Sequence, residues 1–67
     1  MKLDGFGLFE IALSVENYAE VDNAYAEVIA KGAVSTLEPI TEPWGQRICY
    51  IADLVGNLVE IGSFTKN

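Results

Sequence analysis

The chemistry open to this chain is bounded first by the residue types it lacks. Its 67 residues include no histidine and one cysteine, Cys49. That removes histidine acid–base catalysis, a Ser-His-Asp triad, histidine-ligated metals and a cysteine-rich zinc site. An intrachain disulfide is excluded as well. Carboxylates dominate what is left, with ten acidic side chains against four basic ones. Glu10 and Glu60 stand in strand-like stretches near opposite ends of the chain, where the plain reading is a solvated strand face. Arg47 has the fork geometry to clamp a carboxylate or phosphate of a substrate, or to pair with Glu38 or Glu42. Trp44, just before Gly45, either anchors a loop against a sheet edge or lines a ligand cleft. Cys49 lies inside an apolar run and reads as a packed small hydrophobe.

The elements that position these residues follow from periodicity. Residues 9–15 read F-E-I-A-L-S-V, with Phe9, Ile11, Leu13 and Val15 on one face and Glu10, Ala12 and Ser14 on the other. Alternation of this kind marks a strand. After a polar joint with a candidate Asn17 cap the period changes. Val21, Ala24, Tyr25, Val28 and Ile29 recur at helical spacing, which makes Tyr25 a core residue and leaves acids such as Glu27 on a solvated face. Acids near the start, Lys31 near the end and Gly32 beyond it predict a helix over residues 20–31. A short strand over 33–38 follows, then a loop over 39–45 bounded by Pro39 and Pro43. The next strand is expected over 46–53. A tight turn comes after it, with Gly56 and Asn57 at positive φ. The last strand, 58–64, puts Val59 and Ile61 on one face and Leu58, Glu60 and Gly62 on the other.

The predicted architecture is α+β, a single strand–helix–strand–strand–strand (βαβββ) module spanning residues 1–67. One helix covers one face of a four-stranded sheet, with Phe9, Ile11, Leu13, Val15, Val59 and Ile61 turned toward it. The other face, bearing Glu10 and Glu60, must be wet or covered by another chain. Size points to the second option. Burying about 60% of the unfolded surface contributes about 95 kcal/mol, against about 100 kcal/mol for ordering the chain. With disulfides and a cysteine-rich metal site excluded, a partner subunit is the expected source of further stabilisation. The net charge of −6 and four scattered bases give no patch for nucleic acid or anionic membranes. Apolar runs are too short to span a bilayer, and the N-terminus lacks the core of a signal peptide. A cytoplasmic location is expected.

Residues 9–64 resemble the vicinal-oxygen-chelate superfamily of glyoxalase, bleomycin-resistance proteins and extradiol dioxygenases. Three passages carry the resemblance: F-E-I-A-L-S-V-E-N, V-D-N-A-Y-A-E-V-I-A-K-G-A and P-W-G-Q-R-I-C-Y-I-A-D-L-V-G-N-L-V-E-I. The last is similar to the family's closing hairpin, W-G-x-R…D-P-D-G-N-x-x-E, although this chain has Asp-Leu-Val-Gly where the family prefers Asp-Pro-Asp-Gly. The resemblance implies a curved, mixed sheet whose first and last strands are neighbours. It implies a glyoxalase-like half domain, most like the C-terminal half. The family normally pairs two modules around a cleft, so the expected partner is a second copy in a homodimer or a missing N-terminal module. The expected ligand is a small molecule.

Residue by residue, the resemblance places the family's metal ligands at Glu10 and Glu60, with Glu60 also the candidate catalytic base. Trp44 and Arg47 become candidate substrate-binding residues. The implied cofactor is a divalent metal (Mn, Fe, Ni, Mg or Zn), or none. Hard carboxylate oxygens suit Mn²⁺, Mg²⁺ and Fe²⁺, and a bound ion would act as a Lewis acid. The first ligand in metal-binding members is commonly His or Gln, and here it is Glu. Two copies would surround one ion with four carboxylates and no nitrogen, an arrangement left with excess negative charge. The expected function is thus a metal-assisted lyase, isomerase or dioxygenase in a paired form. Against it stands a non-catalytic, resistance-type binding module, or an inactive fragment of a larger enzyme.

Overall fold

The computed structural model describes residues 10–67. Strand β1 (Glu10–Ser14), helix α1 (Tyr18–Ala30) and strands β2 (Val34–Thr41), β3 (Arg47–Ala52) and β4 (Leu58–Ser63) follow in the expected order. They form one four-stranded sheet in the order β1-β4-β3-β2. β1 runs parallel to β4, and the other two pairings are antiparallel. The fold is therefore α+β with a mixed sheet, and its first and last strands are neighbours. Phe9, expected on the apolar face of the first strand, lies outside the described residues. Among the described residues no helix is long and apolar enough to cross a membrane.

Caps fix the helix ends. Asn17 is extended, and its side-chain oxygen accepts from the Glu20 N–H at 3.0 Å. This satisfies an orphan donor of the first turn. The cap starts the helix at Tyr18, two residues before the apolar stripe suggests. Lys31 closes the other end, with Gly32 beyond it at φ 105°, a conformation that favours glycine.

The second strand runs further than expected, through Pro39 to Thr41. Pro39 is tolerated because β2 is an edge strand, where a missing N–H breaks no ladder on the open side. The register of β2 against β3 shifts twice, between Ser35 and Leu37 and between Leu37 and Ile40.

The core lies between α1 and the middle of the sheet. Val21, Cys49 and Ile61 are fully buried, and Val15, Ala24, Tyr25 and Val59 pack around them. Tyr25 also donates its hydroxyl to Ser35 Oγ on β2 at 2.7 Å. The helix lies over β3, β4 and β2 and does not reach β1. This corrects the expectation that the whole apolar face of the first strand is turned to the helix, since Leu13 is 50% exposed. A helix about 10 Å wide spans roughly two strand spacings of about 4.8 Å, so an edge strand of a four-stranded sheet falls outside its cover.

Candidate functional site

The register sorts the sheet into two faces. Toward α1 point Arg47, Cys49 and Ile51 of β3 and Val59 and Ile61 of β4. Away from it point Ile48, Tyr50 and Ala52 of β3 and Leu58, Glu60 and Gly62 of β4. β1 adds Ala12, paired with Glu60, and Ser14, paired with Gly62. β2 adds Val34, Leu37 and Ile40, which pair with Ala52, Tyr50 and Ile48. The helix-free face is thus mostly apolar, with Glu60 set among Ala12 and Tyr50. Sequence periodicity had marked this face as the less greasy one, because Glu10, Glu60 and Gly62 stood out. The contribution of β2 was not assigned to a face, and it supplies much of the apolar surface.

Glu60 is half-buried, and its carboxylate takes no hydrogen bond or ion pair from any described residue. It lines a cavity of about 340 Å³ with Ala12, Ser14, Gln46 and Gly62. Glu10 opens β1, paired with Leu58, and its side chain lies outside what the structure describes. Among the described residues no group of three His, Cys, Asp or Glu comes together.

Arg47 is on the other face from Glu60. Its Nε donates to Asp22 Oδ1 at 3.0 Å and its Nη1 to Thr41 Oγ1 at 2.8 Å. The guanidinium ties α1 to β2 and β3 rather than pairing with Glu38 or Glu42, and it does not face the Glu60 cavity. Cys49 is fully buried, as its apolar surroundings implied. Burial, and then the negative charge of Asp22, push its thiol pKa up, away from nucleophilic chemistry.

Trp44 is 63% exposed, and its Nε1 donates to Gln46 Oε1 at 3.0 Å. The loop that carries both residues is held from below. Tyr18 donates its hydroxyl to Gly45 O at 2.6 Å, and its N–H reaches Thr65 O at 2.9 Å. One residue at the start of α1 thus fastens the β2–β3 loop and the segment after β4, both beside the cavity. Sequence reasoning missed Gln46 and Tyr18. The available signal for Gln46 was Gly62 inside a strand, which marks a close approach by another group.

A second hollow, of about 430 Å³, opens on the helix side between Val28, Ala33, Ile51, Leu54 and Val55. Its polar neighbours are already engaged. Lys31 pairs with Glu27 at 3.3 Å. Asp53 accepts from the backbone N–H of Val55 and Asn57 and from the Asn57 amide. These bonds, the Asn57 backbone N–H foremost, hold the Asp53 carboxyl below its usual pKa. They build the β3–β4 turn, in which Gly56 has φ 91° and Asn57 does not have the positive φ expected of it.

Comparison with known proteins agrees with this architecture. No curated protein sequence matches the chain significantly. Several solved structures share the fold. A glyoxalase/bleomycin resistance protein/dioxygenase family enzyme from Burkholderia phytofirmans PsJN superposes with a TM-score of 0.78 at 21% identity, over 84% of this chain and 44% of that one. A glyoxalase/bleomycin resistance protein/dioxygenase from Nocardioides gives 0.74 at 22% identity, over 100% and 44%. TioX from Micromonospora sp. ML1 gives 0.75 at 25% identity, over 96% and 50%. The chain spans about half the length of these proteins. The family model for the Glyoxalase/Bleomycin resistance protein/Dioxygenase superfamily matches residues 2–61, nearly the whole sequence, and the chain belongs to that superfamily.

Proposed function

We propose that the chain is one half of a small-molecule binding cleft, completed by a second module over its helix-free face. The observation that carries this reading is the face itself. A carboxylate without a described partner sits half-buried within a mostly apolar sheet surface. A lone soluble module would gain nothing from that arrangement, whereas a cleft needs apolar walls with a few placed polar groups. The half-length match to solved relatives supports the same reading. The second module is either another copy of this chain or a module joined to it in a longer protein.

Lyase, isomerase or dioxygenase chemistry, if the assembly has any, belongs to the paired form. One chain brings Glu10 and Glu60, and the remaining ligands of a divalent ion would come from the second module. Glu60 would be the ligand and base, and Trp44 would border the substrate. Light scattering tests the pairing: a mass twice the 7.3 kDa of the chain is expected at micromolar concentration. A cooperatively folded monomer there would rule out the homodimer. Titration with Mn²⁺, repeated on Glu60→Gln, tests the metal. Tight binding by wild type alone supports the metal-assisted form, and equal binding or none leaves the cleft as a metal-free binding site.

A further inference from the structure

The Gln46 amide has a fixed orientation. An indole N–H only donates, so the atom 3.0 Å from Trp44 Nε1 must be the amide oxygen. The amide nitrogen then points the other way and lies over Gly62, 3.1 Å from where a Cβ at that residue would be. A side chain at position 62 would displace it. Gly62 therefore leaves the space, Trp44 sets the direction, and Gln46 presents N–H donors on the face that carries Glu60. Neither N–H has a partner among the described residues.

Glu60 and Gly62 are two residues apart on the same face of β4, about 6.6 Å along the strand. The cavity is lined both by Gln46, a donor, and by the Glu60 carboxylate, an acceptor. A planar amide serves both groups, its carbonyl accepting from Gln46 and its N–H donating to Glu60. A carboxylate ligand does not, because its second oxygen would meet Glu60 in a chain of net charge −6.

We propose that Gln46, oriented by Trp44 across Gly62, is the specificity-determining donor of the cleft and selects a neutral carboxamide over the matching carboxylate. The carboxamide carbonyl accepts from Gln46 Nε2, and its N–H donates to Glu60. This rests on the reading of the helix-free face as the ligand face. The test uses the full chain, isotope-labelled, titrated with benzamide and with benzoate while the Gln46 side-chain amide resonance is followed. Benzamide is expected to shift that resonance together with the backbone amides of Glu60 and Gly62, and benzoate to bind at least about tenfold more weakly. Gln46→Met keeps the length of the side chain and removes the donor, and should weaken benzamide about tenfold. Trp44→Phe keeps a ring and frees the amide to turn, and should weaken it by a smaller factor. If benzamide binds this face equally well in Gln46→Met, or no better than benzoate, the donor role is wrong and the ligand face stands. If neither probe moves any resonance of the face, the proposal and the cleft reading both fall.

Discussion

Burial decides what Cys49 does. Its side chain is enclosed by Val21 and Ile61, so the neutral thiol is favoured over the thiolate. The sign follows from linkage. The folded pKa lies above the unfolded value, so the associated stability is complete below about pH 8.5 and is lost as pH rises through the folded value. Wild-type protein should lose more stability between neutral pH and pH about 10 than Cys49→Ala does, measured by urea midpoints. At neutral pH the same substitution should cost about 1 kcal/mol, the order expected for a small cavity. Native Cys49 should also resist iodoacetamide until the protein unfolds. Fast labelling of the native state would contradict the burial of Cys49.

At the scale of elements, the turn and the helix docking make separate predictions. The Asp53 carboxylate organises residues 53–57 by accepting from two backbone N–H groups and the Asn57 amide. Its folded pKa is lowered, so its contribution is present above the unfolded pKa of about 3.9 and is lost as pH falls through the folded value. Acid titration should loosen protection of the Asn57 amide in wild type, and Asp53→Asn should lack that acid step. Arg47 holds α1 through Asp22, with 24% and 49% of the two side chains exposed. Solvent screening limits the pair, and a double-mutant cycle with Arg47→Met and Asp22→Asn should give a coupling of about 0.5–1 kcal/mol. These elements were legible in the sequence because their signals are local. Asn17 caps, Gly32 stops, and the alternation around Glu60 gives its face. Partners across the sheet were not legible. Arg47 was matched to Glu38 or Glu42, close in sequence, whereas the fold brings Asp22 to it from 25 residues away. Gln46 passed unnoticed because its meaning depends on Gly62, a contact that only the register creates.

At the scale of the molecule, the proposed cleft requires a cover for the helix-free face. Val34 and Ile40 are exposed there, at 57% and 40%. Covering such a surface makes stability depend on concentration when the cover is a second copy. The thermal midpoint should then rise with chain concentration, and Ile40→Lys should abolish the rise by placing a charge on the face. Charge separates a second copy from a different module. Two copies of a chain of net charge −6 repel each other, so added salt should strengthen homodimerisation by screening. A complementary basic module would bind more weakly as salt increases. A midpoint that is independent of concentration and unmoved by Ile40→Lys would mean that the chain keeps this face open in isolation, and that its cover is a module joined to it in a longer protein.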